Sequence, residues 1–423
     1  MIGYFLGWLA LLGAAMPVAF SLAVMSVAWL IVNDQPLGAA AQRMIAGVDS
    51  FPLLAVPAFV LAGHLMNAGG VSEGIYTFAK CLVGHFHGGL AHVNVVGSLI
   101  FSGMSGSAIA DADGLGLLEI KAMREEGYKP EFAGALTAAS CVLGPLIPPS
   151  IPMVIYGVIA STSVGALFLA GIVPGLLTAL FLMIYVAIIA RRQNMKRHPR
   201  ATAGQFWRAL REAFWALLTP VIILWGIFGG VFTPTEAAAI AAVYALVLGL
   251  FVYRAIGFGD LPRIFREAMN TSAVVGFIVA AASLFSWVLA RERVPQIVAE
   301  WLLGITHDVN LMLLIVNIVL LVLGCFMEGI AIMILMVPVL LPVMQQLGVD
   351  PVHFGVILVM NLMIGILTPP FGVALFTVAK VGNIPFEVLA RAIVPFLVPL
   401  LAVQVIITYW PGLVLFLPRL VYG

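Results

Sequence analysis

Charged residues are scarce in this 423-residue chain. They make up 9% of it, whereas 63% of the residues are hydrophobic and the mean hydropathy is +1.14. Soluble domains carry about 25% charged residues, so the composition excludes that class and indicates a polytopic, all-α membrane protein. The formal net charge is only +1, which provides no basic field for binding nucleic acid.

Cysteine is equally rare and is not clustered. Cys81, Cys141 and Cys325 lie in apolar sequence without paired spacing, which excludes a disulfide framework and a transition-metal site. No group of His, Asp, Glu or Cys at catalytic spacing supports the alternative of a polytopic membrane enzyme. A channel would need a continuous polar stripe or charged rings, and the spans are too apolar for that.

Apolar runs of about 20 residues, the length needed to cross a bilayer, predict full spans. We expect these near 3–32, 51–70, 131–160, 163–190, 213–232, 235–256, 270–290, 353–380 and 385–412. Two further apolar regions, 92–118 and 307–347, are interrupted and are predicted to be re-entrant helical hairpins. Short polar segments between the spans, including 203–212 and 259–269, are predicted to lie at the membrane interface or to form arms that connect moving parts.

Basic residues set the predicted orientation. The run RRQNMKRHPR at 191–200 is expected in the cytoplasm by the positive-inside rule. Counting spans from there puts the N-terminus inside, the C-terminus in the periplasm and 16 of the 20 basic residues on the inner side. The four left outside are Arg43, Arg291, Arg293 and Arg419.

A double proline occurs twice within apolar sequence, as Pro148-Pro149 and as Pro369-Pro370. The step in numbering from Pro148 to Pro369, called the repeat shift below, also carries Gly144 onto Gly365 and Gly103 onto Gly324. Proline interrupts a helix, and non-helical backbone at membrane depth is tolerated only inside protein or beside a cavity. The recurrence therefore predicts an internal duplication in which each copy holds one broken helix.

The two copies are predicted to be inverted relative to each other. Segment 121–130 carries three basic residues, whereas its counterpart 342–351 carries none. The chain is accordingly divided into repeat 1 (1–190), a cytoplasmic connector with a linking span (191–233) and repeat 2 (234–423). Inverted repeats with discontinuous helices at matching positions are typical of secondary transporters.

A second interruption precedes each double proline. It reads SGMSGSAIADADGLG at 102–116 in repeat 1 and is centred on Glu328-Gly329 in repeat 2. Small residues allow a sharp turn, hydroxyl and carbonyl oxygens suit sodium, and half-helix N-termini suit a carboxylate. We therefore expect cation sites beside one substrate cavity. The predicted substrate-binding residues are Asp111, Pro149, Ser150, Pro370 and Gly372.

Several long motifs resemble the large membrane subunit of tripartite ATP-independent periplasmic (TRAP) transporters. They include the hairpin segment 102–116, LTAASCVLGPLIPPSIPMVIYG at 136–157, GGVFTPTEAAAIAAVYALVLGLFVYR at 229–254 and IGILTPPFGVALF at 364–376. The resemblance covers essentially the whole chain. One departure is Met327-Glu328-Gly329, where many relatives have Met-Asp followed by a small residue and proline.

The resemblance implies sodium-coupled, elevator-type uptake of a small organic acid, commonly a carboxylate, across the bacterial inner membrane. It also implies two partners, a periplasmic substrate-binding protein and a separate small four-span membrane subunit, and no cofactor besides sodium. A stand-alone carboxylate transporter of related build is the nearest alternative. The cation-binding residues implied by motif are Ser105, Gly106, Ser107, Gly144, Pro145 and Pro148 in repeat 1, and Gly324, Met327, Glu328, Gly365, Thr368 and Pro369 in repeat 2.

Overall fold

The computed structural model describes residues 2–14, 16–370 and 372–423, without the side chains of Ile2 and Phe5. All regular secondary structure in this part of the chain is helical. Seven of its helices are long and apolar enough to cross a membrane alone. The predicted all-α, polytopic fold class is therefore confirmed.

The helices, in chain order, are α1 Ile2–Gly13, α2 Val18–Val32, α3 Gly38–Val48, α4 Ala55–Ala68, α5 Val71–Val83, α6 Gly89–Ser105, α7 Ala108–Asp113, α8 Leu115–Glu125, α9 Pro130–Ser140, α10 Leu143–Leu146, α11 Ile151–Ile159, α12 Val164–Arg192, α13 Ala203–Phe228, α14 Pro234–Val247, α15 Leu261–Arg291, α16 Val294–Ile305, α17 Val309–Gly324, α18 Gly329–Gln346, α19 Pro351–Gly365, α20 Val373–Gly382, α21 Phe386–Tyr409, α22 Pro411–Val414 and α23 Phe416–Tyr422. A 3₁₀ turn, Phe51–Leu54, precedes α4, and a π-helical turn, Leu248–Val252, follows α14.

The repeat shift reappears in the helix bounds. The segment α7–α8 runs from 108 to 125, and α18 runs from 329 to 346, so both ends are related by the repeat shift. Helices α9 and α19 begin at Pro130 and Pro351, which are related in the same way. The two halves of the chain therefore fold into corresponding helices.

Each half is completed by helices of the other half. Helix α2 packs on α15, and α14 packs on α4, which are corresponding pairs under the repeat shift. Likewise α11 packs on α18 and α19, while α20 packs on α7, α8 and α9. This reciprocal exchange buries both broken helices in the common core.

Both double prolines break a helix, as predicted. Helices α9 and α10 form one apolar segment that is bent by 44° relative to α11 across residues 147–150. In repeat 2, α19 ends at Gly365 and α20 begins at Val373. The bond between the two prolines is cis in both copies.

Helix starts follow local capping chemistry. At the segment TPTE, Thr233 caps α14 by accepting from the Glu236 amide, and the Glu236 carboxylate accepts from the Thr233 amide. Pro234 occupies the first helical position, where its missing N–H costs nothing.

The predicted single span 3–32 is wrong. The structure has two helices there, α1 and α2, which pack on each other. Pro17 precedes the first residue of α2, and a proline in a continuous helix would remove a hydrogen bond and clash with the preceding turn. A prediction of spans from hydropathy alone does not detect this break.

Two segments that were predicted to be separate from the neighbouring spans are continuous with them in long helices. Residues 259–269 and 270–290 were expected to be separate, but most of both ranges lies in α15, which has 31 residues. Residues 203–212 are continuous with the span that follows them in α13. In both places no proline or glycine stands at the junction between the polar and the apolar part, so the helix continues across it.

Gly324 and Gly365 cross at a distance that excludes a side chain. A Cβ atom on Gly324 would lie 2.8 Å from the Gly365 Cα. We expect Gly324→Ala to lower the free energy of unfolding by about 1–3 kcal/mol because backbone must move to relieve the clash. Thermal unfolding of the purified protein in detergent measures this effect.

Gly276→Ala is the matched control, since a Cβ at this position in α15 meets no atom within 4 Å. It should be neutral or stabilising by about 0.5–1 kcal/mol. Equal melting temperatures for the two variants would contradict the close crossing.

Candidate cation and substrate site

The tip of the first hairpin is a two-residue break between helices. Helix α6 ends at Ser105, and Gly106 follows in the left-handed conformation with φ of 64°. Ser107 then caps α7, its hydroxyl accepting from the Ala110 amide at 3.4 Å. A left-handed residue at this point favours glycine, which explains the small-residue tip.

This tip packs directly against the first double-proline break. The Ile151 amide donates to the Gly106 carbonyl at 3.3 Å. A Cβ on Gly106 would lie 2.5 Å from the Pro149 oxygen, and one on Gly144 would lie 3.0 Å from the Ser107 carbonyl. The structure thus brings together Gly106, Ser107, Gly144 and Pro149, four of the residues singled out from the sequence.

Ser105 supplies an uncommitted oxygen beside the tip. Its side chain is 1% exposed, and its hydroxyl has no hydrogen-bond partner among the described residues. The backbone of Ser105 faces Gly63 of α4. A Cβ atom on Gly63 would lie 3.5 Å from the carbonyl oxygen of Ser105. A buried polar atom without a partner is costly, so a free hydroxyl here suits an oxygen-ligated cation.

Ser150, a predicted substrate-binding residue, also caps a helix. Its hydroxyl donates to the Pro145 carbonyl and accepts from the Met153 amide, which caps α11. The side chain is fully buried, and both functions of its hydroxyl are in use. Ser150 therefore holds the broken helix in shape, and Pro145 contributes its carbonyl to the same contact.

The second hairpin is built differently at the corresponding place. Its turn lies between α17 and α18 and contains Met327, whose amide donates to the Leu323 carbonyl. Glu328 caps α18, its carboxylate accepting from the Ala331 amide at 3.0 Å. The tip meets the second broken helix through the Gly324–Gly365 crossing.

At the second double-proline break, the hydroxyl of Thr368 is already engaged in a hydrogen bond. Thr368 donates to the Ile364 carbonyl at 2.8 Å. Pro369 is half-buried and Pro370 is exposed, whereas Gly372 is buried, with φ of 53°. Gly372 precedes α20, whose first turn has no side-chain cap; the Ala374 amide donates to the Ile366 carbonyl at 3.2 Å.

Asp111 lies deeper than expected for a substrate ligand. It is in α7, is 1% exposed and has Ser98 and Cys141 as polar neighbours. Neither carboxylate oxygen makes a hydrogen bond with good geometry. In this arrangement the side chain is closed off from solvent inside repeat 1.

A buried polar network in repeat 1 was missed from the sequence. The Asn94 amide donates to the carboxylate of Glu119 and to the Thr137 hydroxyl, and its oxygen accepts from Ser140. Ser98 donates to Ser140 at 3.1 Å. The network joins both arms of the hairpin to α9. Asn94 with Ser98, four residues apart on α6, is the helical spacing that signals it.

Repeat 2 has a neutral counterpart of this network. Asn361 occupies the position that corresponds to Ser140 under the repeat shift, and it donates to the Asn317 side chain at 2.7 Å. Gln404 donates to the same Asn317 oxygen at 2.6 Å. The position of Glu119 is taken by Leu340, so only repeat 1 places an acid there. In both repeats an amide network fastens the hairpin to the broken helix.

Comparison with known proteins identifies the family. Residues 5–413 match the model of the tripartite ATP-independent periplasmic transporter, DctM component. The chain is 52% identical to the sialic acid TRAP transporter large permease protein of Vibrio cholerae, over 100% of this chain and 99% of that protein. It is 40% identical to the C4-dicarboxylate TRAP transporter large permease protein of Pseudomonas aeruginosa, over 92% and 91% of the two chains.

A relative from Haemophilus influenzae, the sialic acid TRAP transporter permease protein, is 44% identical over 98% of this chain and 67% of that protein. Among solved structures, the YdaH transporter of Alcanivorax borkumensis aligns with a TM-score of 0.63 over 87% of each chain at 15% identity. That likeness shows a shared fold.

Asn94→Ala tests whether the network stabilises hairpin 1. The substitution removes the amide that donates to the Glu119 carboxylate and to the Thr137 hydroxyl. Each unsatisfied buried group costs about 1–3 kcal/mol, so we expect a lower free energy of unfolding in thermal or denaturant melts.

Asn33→Ala is the control, because Asn33 is exposed and donates only within its own helix end. Adding Glu119→Leu to Asn94→Ala, which installs the repeat 2 residue, should restore part of the loss. A double variant that melts no higher than Asn94→Ala would argue against an unpaired carboxyl as the cause.

Proposed function

The chain belongs to the DctM family, the large permease component of TRAP transporters, and from this premise we propose that it carries small organic acids inward together with sodium ions. It is a multi-pass transport protein rather than an enzyme. The observation that carries the proposal is the pairing in each repeat of a hairpin tip with a double-proline helix break.

Sodium binding is supported by the oxygen-rich surroundings of the first tip. Ser105 offers a buried hydroxyl without a partner, and the carbonyls of Ser107 and Pro149 lie at the same contact. Sodium is a hard cation that prefers such hydroxyl and carbonyl oxygens. In repeat 2 the corresponding cation would rely more on backbone oxygens, since the hydroxyl of Thr368 and the carboxylate of Glu328 are engaged in helix contacts.

The substrate is proposed to be an organic acid that meets the N-terminal end of α20. This end lacks a side-chain cap and begins behind the left-handed Gly372. Helix N-termini attract anions through free amides and the helix dipole. Relatives that transport sialic acid and C4-dicarboxylates suggest a carboxylate, and the higher identity to the sialic acid permease makes sialic acid the first substrate to test.

Alternating access is proposed to follow an elevator motion. Helices α2 with α15, and α4 with α14, form two reciprocal pairs that provide a frame. The hairpins and broken helices would move against this frame with their cargo. The contacts that must be exchanged include the hydrogen bond from Asn67 of α4 to the Ala110 carbonyl, at 3.1 Å.

The working complex is proposed to contain a small four-span membrane subunit and a periplasmic binding protein that delivers the acid. We place the assembly in the bacterial inner membrane, with the N-terminus in the cytoplasm and the C-terminus in the periplasm. The distribution of basic residues supports this orientation.

Reconstitution tests the proposed transport reaction. We expect proteoliposomes to take up labelled sialic acid only when the small subunit, the binding protein and an inward sodium gradient are all present. Succinate, a C4-dicarboxylate, is the competing substrate. Full uptake by the chain alone would instead support a stand-alone carboxylate transporter.

Ser105→Ala tests the first cation site without disturbing a helix cap. Because its hydroxyl has no protein partner, we expect an unchanged melting temperature but a several-fold higher sodium concentration for half-maximal uptake. Ser107 and Ser150 are poorer targets, since losing either cap costs about 1 kcal/mol of stability.

Ser102→Ala is the matched control, one turn earlier on α6. Its hydroxyl is fully buried but already donates to the Leu99 carbonyl. Sodium dependence should stay at the wild-type value in this variant. A normal sodium response in Ser105→Ala would remove Ser105 from the cation site.

A further inference from the structure

A second feature, remote from the hairpin tips, is a basic cavity at one end of α13. It has a volume of about 300 Å³ and lies between α5, the segment 198–201 and the first turns of α13. Its charged and polar lining includes Lys80, His198, Arg200, Gln205, Arg208 and Glu212.

The cavity carries uncompensated positive charge. Lys80, Arg200 and Arg208 form no ion pair among the described residues, and Glu212 is the one acidic group in the lining. Three cations and one anion leave a net charge of +2 when His198 is neutral. Like charges gathered around one space repel, and an anion placed between them relieves that repulsion.

His198 is directed out of this cluster. Its Nε2 lies 2.7 Å from the carboxylate of Glu126, which follows α8 at the base of the first hairpin. The His198 amide also donates to the Gly84 carbonyl. The segment that closes the cavity is therefore tied to both α5 and the hairpin base.

The cavity opens beside surface suited to lipid. Trp207, next to Arg208 in α13, is 66% exposed, and Phe214 and Trp215 are exposed two turns further on. Leu82 and Phe86, in and after α5, are exposed as well. Exposed aromatic side chains next to cations at the end of a spanning helix mark the membrane–water interface.

The N-terminal end of α13 adds to the positive potential. The helix has 26 residues and begins at Ala203, so its positive dipole end faces the same side as Gln205 and Arg208. The capping box of Thr202 and Gln205 fixes this end in place. A phosphate group in the cavity would lie among three cations, and the dipole of α13 adds to the positive potential there.

We propose that this cavity binds the phosphate of an anionic phospholipid headgroup. The basic lining holds the phosphate, and the apolar surface around Trp207 accommodates the acyl chains. A zwitterionic headgroup binds less well because its ammonium group meets the cations. The bound lipid joins α5, the 198–201 segment and α13, next to the base of the first hairpin. This site is independent of the proposed transport reaction.

Fluorescence quenching in vesicles tests the site. The purified chain is placed in phosphatidylcholine vesicles that contain small amounts of brominated phosphatidylglycerol or brominated phosphatidylcholine. The Trp207 signal is obtained by difference from Trp207→Phe. We expect half-maximal quenching of Trp207 at a much lower fraction of the anionic lipid than of the zwitterionic one.

The variant Lys80→Gln/Arg200→Gln/Arg208→Gln should lose this preference. With about 1 kcal/mol for each cation near an anionic lipid, the half-maximal fraction should rise on the order of 100-fold. Arg211→Gln/Arg263→Gln/Arg266→Gln removes the same charge from residues that do not line the cavity and should keep most of the preference. Arg200→Gln alone, expected to cost about fivefold, serves if the triple variant does not fold.

Three results would overturn the proposal. Equal quenching of Trp207 by both brominated lipids would exclude headgroup recognition. Equal losses in the two triple variants would point to general surface charge. Release of quenching by soluble glycerol 3-phosphate at a matching concentration would show a free phosphate ester site rather than a lipid site.

Discussion

The structure depends on one constraint: backbone polar groups inside a membrane must be satisfied within the protein. A helix broken at membrane depth exposes amides and carbonyls that no water can reach. Here the break at Pro148-Pro149 is covered by the hairpin tip of the same repeat, through the hydrogen bond from the Ile151 amide to the Gly106 carbonyl. Next to Gly106 in the chain, the buried Ser105 hydroxyl has no partner among the described residues, which is why we propose it as a cation ligand. The covered break and the proposed site thus belong to the same contact between hairpin and broken helix.

Duplication supplies the means of covering two breaks at once. In each repeat the half-helix after the break packs on helices of the other repeat. Helix α11 packs on α18 and α19, and α20 packs on α7, α8 and α9. Neither repeat buries its own broken helix alone, so the two copies are mutually required. This exchange explains why the same repeat shift appears in the double prolines, the helix bounds and the close-packed glycines. The fold places both breaks in one core because each copy completes its partner.

The breaks were predictable from sequence because proline and glycine act through local backbone geometry. Pro148-Pro149 and Gly106 can be recognised as helix breaks without knowing which residues surround them in the fold. The split between α1 and α2 also has a local signal, Pro17, but a hydropathy count of apolar residues averages over it. Glu119 was not predictable in this way, since its burial depends on Asn94 and Thr137 from two other helices. The burial of Asp111 likewise depends on neighbours that are distant in sequence, such as Cys141, and could not be read from its local sequence.

The two candidate cation sites are related by the repeat but are not chemically equivalent. In repeat 1 the helix after the break is capped by Ser150, whereas in repeat 2 the corresponding α20 has no side-chain cap. Conversely, repeat 1 leaves the Ser105 hydroxyl free, while repeat 2 engages the Thr368 hydroxyl and brings two glycines into contact. A free hydroxyl favours a cation, and an uncapped helix start favours an anion. This asymmetry is the reason why, within the proposed function, we place the stronger cation site in repeat 1 and the contact with the acid group of the cargo in repeat 2.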